Sequence, residues 1–251
     1  MIYVDLNADL GESFGAYKIG ADEEIIPLVS SVNIACGWHA GDPLVMGRSV
    51  KLAKEYGVSV GAHPGYPDLM GFGRRNMKVS PAEVKAYIQY QVGALYAFCK
   101  AAGVKLHHVK PHGAMYNMAG ADYKLARAVA EAVAEIDDSL PLLALSGSEM
   151  VRAANEIGLP CASEVFADRN YEEDGSLRAR SFPDSMITDE DECIRRILRM
   201  VNEGKITAVT GKDIDIRADS ICVHGDNPKA LAFVKRIRDA LGNDGIGIRP
   251  F

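Results

Sequence analysis

Short apolar runs alternate with longer amphipathic runs along the whole chain, and this alternation limits the possible folds more than any other feature. The short runs are bounded by Gly, Pro, Asn or Asp, as β-strands are. They cover Tyr3–Ala8, Ser31–Ala35, Val58–Ala62, Leu106–Val109, Leu142–Leu145, Cys161–Val165 and Ser220–Val223. Several are continuously apolar, which is typical of parallel strands covered on both faces.

The longer runs have the periodicity and the end signals of helices. Ser80, Pro81 and Glu83 form a capping-box start, and Gly103 is a typical stop. The predicted helices are Pro43–Tyr56, Pro81–Ala102, Tyr123–Ile136, Gly147–Ile157, Asp189–Asn202 and Pro228–Leu241.

About seven strand–helix units in one chain predict an α/β fold with a parallel sheet and right-handed crossovers. We expect a single α/β-barrel domain over residues 1–251, seven-stranded and irregular, in preference to a doubly wound sheet. Two polar segments interrupt the pattern. Asp168–Ser185, with a hairpin turn at Asp174-Gly175, and Lys212–Ala218 are both predicted to be loop excursions.

Composition narrows the class of function. The formal net charge of −6 argues against nucleic acid as the main partner, because phosphate contacts need a basic face. Five scattered cysteines without a C-x-x-C pair suggest free thiols in a reducing compartment. No run is long and apolar enough to span a bilayer. We therefore expect a cytoplasmic protein, with its oligomeric state left open.

Histidine motifs follow directly from four of the predicted strands, at His39, His63, His112 and His224. Parallel barrel strands end on one rim, where barrel enzymes carry their active sites. Residues distant in sequence are therefore predicted to meet there. Further polar residues lie near the end of a predicted strand or after it: Asn7, Asp9, Glu12, Asp42, Lys110, Glu164, Asp168, Arg169 and Asp226.

Some of these residues have a purely structural alternative. Asp42 and Asp226 each precede a proline-initiated helix and suit a helix cap as well as a ligand site. Asp9 and Glu12 can simply solvate a loop. His107 and His108 lie within a strand and are as consistent with the core as with the rim.

Two chemistries suit such a rim. A divalent metal, with Asp9, His39, His63 and His112 as candidate ligands, would polarise a carbonyl and activate water. Alternatively, the same groups act directly as general acid and base, with Lys110 or Arg169 stabilising an oxyanion. The chain has no Walker phosphate loop, no dinucleotide fingerprint and no nucleophile elbow.

Seven motifs in this sequence resemble those of the LamB/YcsF family, in the family's order and over nearly the whole chain. They are Asp5–Gly15, Asn33–Asp42, Gly61–Asp68, Phe72–Arg75, Val109–Tyr116, Glu164–Arg169 and Ile221–Asp226. One departure is Trp38, where many relatives carry a phenylalanine or similar residue. We expect that change to alter only the wall of the pocket.

The resemblance implies a barrel akin to those of polysaccharide deacetylases and some glycosidases. It also implies ATP-dependent opening of the 5-oxoproline lactam to L-glutamate, with ATP as co-substrate and two further subunits, B and C, as partners.

Our hypothesis gives individual residues roles in this reaction. Asp9 or Glu12 and His63 would orient or deprotonate water, and Lys110 and His112 would stabilise the oxyanion. Arg169 would hold the substrate carboxylate. The remaining substrate-binding candidates are Asn7, His39, Asp42, Glu164, His224 and Asp226.

Two other functions stay open. One is a stand-alone metal-dependent amidohydrolase or carbohydrate deacetylase that needs neither ATP nor a partner. The other is a non-catalytic binding component that only positions the lactam for a partner. An assay of the chain with and without its partner subunits discriminates among them.

Overall fold

The computed structural model of the chain describes residues 2–223 and 230–251. Within them the strands are β1 (Tyr3–Leu10), β2 (Ser31–Ala35), β3 (Ser59–His63), β4 (Leu106–Val109), β5 (Leu142–Leu145), β6 (Cys161–Phe166), β7 (Lys205–Thr207), β8 (Asp213–Asp215), β9 (Ser220–Val223) and β10 (Gly247–Ile248). The helices are α1 (Asp22–Ile25), α2 (Pro43–Tyr56), α3 (Pro81–Ala102), α4 (Gly113–Ala121), α5 (Tyr123–Ile136), α6 (Glu149–Ile157), α7 (Glu190–Glu203) and α8 (Ala230–Asn243).

A closed parallel barrel forms the centre of the described structure. Seven strands pair in the order β1-β2-β3-β4-β5-β6-β9, and β9 pairs back with β1. Asp5 lies opposite Ser220 and Ala8 opposite Val223 in this closing ladder. The predicted seven-stranded α/β barrel is confirmed. The short strand β10 adds to the beginning of β1, with Tyr3 opposite Gly247.

Local signals account for the main helices. The Asp42 side chain accepts hydrogen bonds at the start of α2, and Gly57 ends that helix in the left-handed conformation. Ser80 and Glu83 form the predicted capping box of α3. Among the described residues, no helix combines the length and the apolar character needed to cross a membrane.

Alternation along β1 separates an apolar layer from a polar barrel interior. Val4, Leu6 and Ala8 are buried in the main hydrophobic cluster with the surrounding helices. The intervening residues Asp5 and Asn7 are also buried, but they bond to polar side chains of other barrel strands. The barrel interior is therefore built from hydrogen bonds and charges, and it leads towards the strand ends.

Sequence reasoning missed one helix and misread one loop. Helix α4 begins immediately after His112, without a side-chain cap. The expected loop excursion at Lys212–Ala218 is wrong in part, because Asp213–Asp215 pairs with Lys205–Thr207 as an antiparallel hairpin. The predicted turn at Asp174-Gly175 lies in a loop closed by a bridge between Tyr171 and Leu177.

We expect Gly61→Ala to destabilise the barrel. A β-carbon on Gly61 would lie 2.1 Å from Nε2 of the buried His108. Relieving that overlap should reduce the free energy of unfolding by about 1–3 kcal/mol. The matched control is Gly93→Ala in α3, where a β-carbon meets nothing within 4 Å and should add about 0.5–1 kcal/mol. Urea unfolding measures both, and equal stability of the two variants would contradict the prediction.

Candidate active site

The strand ends surround a cavity of about 720 Å³, a volume typical of small-molecule sites. Its lining includes five of the predicted residues from three segments: Asp9, Glu12, His63, Lys110 and His112. Asp9 lies near the end of β1 and His63 is the last residue of β3. Lys110 and His112 follow β4 directly. Residues distant in sequence thus meet at one rim, as the barrel predicted.

Close backbone packing fixes the position of His112. Gly113 has a φ of +55°, and a β-carbon there would lie 2.6 Å from the carbonyl oxygen of Gly73. The amide of Ala114 donates to that same carbonyl at 2.9 Å. The loop after β3 and the start of α4 therefore hold His112 between them.

Glu12, His39, His63 and His112 form a cluster that can hold a metal ion. One ligand atom from each residue lies within 4.8 Å of all the others. The predicted ligand set had Asp9 in place of Glu12. In the structure, Asp9 Oδ2 lies 3.4 Å from His63 Nε2, beside the cluster.

Backbone carbonyls determine which ring nitrogens carry hydrogen. His63 Nδ1 lies 2.7 Å from the carbonyl oxygen of Lys110, and His112 Nε2 lies 2.8 Å from that of Phe72. Because a carbonyl only accepts, each of these nitrogens must donate. In the neutral rings, His63 Nε2 and His112 Nδ1 are therefore acceptors. Burial, followed by the neighbouring His39 and His63, lowers the pKa of His112 well below its usual value.

Lys110 is the central cation of the site. Its Nζ lies 2.7 Å from Glu164 Oε1 and 2.9 Å from Asp9 Oδ1, and the side chain is almost fully buried. Burial alone would lower the pKa of this lysine, but Asp9, then Cys222 and Glu164, raise it well above the ordinary value. The ammonium group therefore stays charged and faces the cavity at neutral pH.

The carboxylate of Asp9 stays ionised for the complementary reason. Burial would raise its pKa, but His63 and Lys110 outweigh burial and hold the pKa well below its usual value. The side chain of Asn33 also donates to Asp9 Oδ1 at 2.8 Å. Asp9 thus presents a fixed negative charge beside the cluster.

Two predicted substrate ligands lie beneath the cavity and do not line it. Asn7 and Glu164 are both fully buried, and the amide nitrogen of Asn7 donates to Glu164 Oε1 at 3.0 Å. Tyr116 donates its hydroxyl to Glu164 Oε2 at 2.7 Å. Asn7 and Glu164 both contact the Lys110 ammonium, at 3.3 Å and 2.7 Å, so their placement does not match the predicted contact with substrate.

His39 and Asp42 also lie outside the cavity lining. The His39 ring stacks on that of His112, with centroids 3.6 Å apart and planes 4° from parallel. Its Nε2 lies 3.2 Å from Glu12 Oε1. Asp42 accepts hydrogen bonds from the amides of Leu44 and Gly15. It therefore caps α2, which is the structural role weighed for it against ligand binding.

Trp38 does not form the pocket wall, contrary to expectation. Its ring centroid lies 4.9 Å from that of Tyr87 and 5.4 Å from that of Tyr90, both on α3. The sequence departure at this position therefore affects packing between the loop and α3, and Trp38 does not line the cavity.

Arg169 does line the cavity and is buried. Its Nε and Nη2 donate to the carbonyl oxygens of Ser185 and Arg178, so the excursion after β6 holds the guanidinium in place. No ion pair joins it to a carboxylate within residues 2–223 and 230–251. Burial, and then Arg180, lower its pKa to about 10, which still leaves the group charged at neutral pH.

Two predicted ligands, His224 and Asp226, lie outside the described residues. Sequence reasoning also missed several residues that line the cavity, among them Arg74, Tyr116 and Arg180. Tyr116 lies one helical turn beyond His112, a spacing that would have identified it had α4 been predicted. Arg74 and Arg180 lie in loops, where no periodicity indicates which side chains face inward.

The buried His108 should make the free energy of unfolding depend on pH. Burial, and then His107, lower its pKa well below 6.5, and its Nε2 lies 2.6 Å from Asn33 Oδ1. The unfolded chain takes up a proton here below pH ~6.5 and the folded chain does not. The resulting stability is therefore present above that pH and is lost as the pH falls.

We expect this histidine to contribute about 1.4 kcal/mol of stability loss per pH unit below pH ~6.5. Urea unfolding of the wild type and of His108→Gln at several pH values isolates the effect. The slope should be smaller by that amount in the variant. Parallel curves for the two proteins would show that His108 is protonated in the folded chain.

Comparison with known proteins places these features in context. Residues 4–251 match the sequence model of the LamB/YcsF family. The A subunit of a 5-oxoprolinase from Clostridium beijerinckii is 64% identical over 250 residues, covering 100% of this chain and 98% of that protein. The corresponding protein from Pyrococcus abyssi is 56% identical over 247 residues, covering 98% and 97%.

Solved structures show the same similarity. The crystal structure of a lactam utilization protein from Thermus thermophilus superposes with a TM-score of 0.94 at 51% identity, covering 100% of both chains. A T48 deacetylase superposes with a TM-score of 0.51 at 13% identity, covering 99% of this chain and 88% of that one. The second match shows a shared fold alone.

Proposed function

This chain belongs to the LamB/YcsF family, and from that membership we propose that it acts as the A subunit of an ATP-dependent 5-oxoprolinase. The reaction opens 5-oxoproline to L-glutamate and hydrolyses ATP to ADP and phosphate. The observation that carries the proposal is the 64% identity to the A subunit of a 5-oxoprolinase over the full length of this chain. We propose subunits B and C as its partners.

Lactam chemistry suits the charges of the cavity. Activation would transfer the γ-phosphoryl group of ATP to the amide oxygen and release ADP. Water would then add to the lactam carbon, and the ring C–N bond would break as the nitrogen takes up a proton. A second water would hydrolyse the resulting γ-glutamyl phosphate to L-glutamate and phosphate. Lys110 supplies a buried cation that stabilises negative charge on the lactam carbonyl oxygen and on the phosphoryl group it carries. When bound near the histidine cluster, a divalent metal supplies further polarisation of that carbonyl.

In the absence of a bound metal, His63 is the best-placed base of this chain. Its Nδ1 donates to a carbonyl, so Nε2 keeps a lone pair to accept a proton from water. Asp9 and Glu12 lie beside it and orient the water. His112 has its one neutral N–H committed to Phe72, so it offers the cavity an acceptor. That arrangement argues against the predicted oxyanion role of His112.

Arg169 fits the substrate carboxylate. Its guanidinium is buried and charged and faces the cavity, and its fork geometry matches a carboxylate.

The five unpaired cysteines further support a reducing, cytoplasmic location.

One assay tests the proposal. The purified chain is incubated with 5-oxoproline and ATP, with and without subunits B and C, and glutamate is measured. We expect glutamate and stoichiometric phosphate only from the mixture. Glutamate from this chain alone without ATP would instead establish the stand-alone amidohydrolase, which the histidine cluster makes the second candidate. Lactam binding without turnover by any combination would leave a non-catalytic binding component.

A further inference from the structure

When both rings are neutral, two ring nitrogens in the cluster face one another without hydrogen between them. His63 Nε2 and His112 Nδ1 lie 2.9 Å apart. The outer nitrogen of each ring already donates its hydrogen to a backbone carbonyl, of Lys110 and of Phe72 respectively. Two lone pairs therefore meet at hydrogen-bond distance, an arrangement that needs a positive species to bridge them.

The geometry matches what one metal ion requires. Two nitrogens bound to the same ion at about 2.0–2.1 Å stand roughly 2.9–3.4 Å apart. Metal-binding histidines also commonly donate their other N–H to a backbone carbonyl, which orients the ring. His63 and His112 satisfy both conditions.

Carboxylates supply the oxygen side of the site. Glu12 Oε1 lies 3.8 Å from His112 Nδ1, and Asp9 Oδ2 lies 3.4 Å from His63 Nε2. All four side chains line the cavity, so an ion among them would be open to a small molecule. Imidazole and carboxylate together suit divalent transition ions better than Mg²⁺ or Ca²⁺, which prefer oxygen alone.

His39 has a different place in the arrangement. Its ring is parallel to that of His112 at 3.6 Å, so an ion in the plane of His112 lies outside the plane of His39. It is absent from the cavity lining. Its Nε2 lies 3.2 Å from Glu12 Oε1, and a carboxylate only accepts, so His39 donates to Glu12. Its Nδ1 is buried and has no partner among the described residues.

We propose that His63 Nε2, His112 Nδ1 and a carboxylate oxygen of Glu12 bind one divalent transition-metal ion, and that His39 orients Glu12 without touching the ion. Asp9 provides a neighbouring negative charge. The use of this ion in lactam opening rests on the proposed function, but the binding of the ion does not.

The test is a titration of the full chain, stripped of metal with a chelator, with Co²⁺ and with Zn²⁺. We expect one ion per chain by equilibrium dialysis and elemental analysis, with visible Co²⁺ absorption that reports nitrogen ligation. His63→Ala and Glu12→Gln should each lose the ion. His39→Ala should retain one ion with affinity about 10–100-fold lower. His107→Gln, a histidine outside the cluster, should bind as the wild type does.

Circular dichroism confirms that each variant is folded, and Glu12→Gln preserves the side-chain volume should the alanine variant unfold. No uptake by the wild type at micromolar free Zn²⁺ would overturn the proposal and leave a shared proton between the two rings. Loss of the ion from His39→Ala as complete as from His63→Ala would make His39 a ligand and overturn its orienting role. Because the readout needs neither lactam nor ATP, failure of the oxoprolinase assay leaves this result standing, and the reverse holds too.

Discussion

Lys110→Met should both slow lactam turnover by about 10²–10³-fold and destabilise the fold. The substitution keeps most of the side-chain volume but leaves the buried Glu164 and the largely buried Asp9 without their shared cation. Breaking a buried ion pair in this way costs about 3–5 kcal/mol of unfolding free energy. Losing the charge that stabilises the oxyanion should lower kcat by about 10²–10³-fold in the reconstituted complex.

A second substitution separates the two effects. The double variant Lys110→Met/Glu164→Gln lacks one of the two carboxylates that lose their cation in Lys110→Met. It should be more stable than Lys110→Met but no more active. Lys105→Met, at an exposed lysine just before β4, serves as the matched control and should match the wild type. Urea unfolding and a glutamate assay give the two readouts. Turnover of Lys110→Met at the wild-type rate would remove Lys110 from the mechanism.

Arg169→Lys should weaken 5-oxoproline binding in the complex with little change in kcat. Lysine keeps the charge but not the planar fork that pairs with a carboxylate. The loss of about 3 kcal/mol corresponds to a KM for 5-oxoproline higher by roughly 100-fold. The KM for ATP should not move.

The sharpest comparison uses 2-pyrrolidinone, the same lactam ring without the carboxylate. The wild type should prefer 5-oxoproline to it, and Arg169→Lys should lose most of that preference. Arg178→Lys is the control within the same excursion, because Arg178 pairs with Glu172 and Asp184 and does not line the cavity. An unchanged preference in Arg169→Lys would place the substrate carboxylate elsewhere.

The barrel was predictable because its signals are local. Short strand-like runs located β2, β4, β5 and β9 to the residue, and caps located α2 and α3 equally well. Topology then followed from the alternation of strands and helices. Helix α4 was missed since its sequence, GAMYNMAGA, has neither a polar face nor a capping side chain.

The sequence predicted which residues meet at the cavity better than it predicted which of them can contact substrate. Position after a strand brought Asp9, His63, Lys110 and His112 to one cavity. Position after a strand does not tell how deeply a side chain is buried. Glu164 therefore pairs with Lys110 below the cavity, and His39 stacks on His112 without lining the cavity. The distinction depends on side-chain packing across the barrel, which sequence spacing does not report.

The closing ladder between β1 and β9 has a consequence for how the chain folds during synthesis. Ser220 donates to Asp5 across 215 positions of sequence, and pairing over such a span is slow because the intervening chain must first be ordered. Until β9 leaves the ribosome, one side of β1 remains an open edge with a polar interior exposed to water. We therefore expect barrel closure to be a late event, with the unpaired edge of β1 prone to aggregation until then.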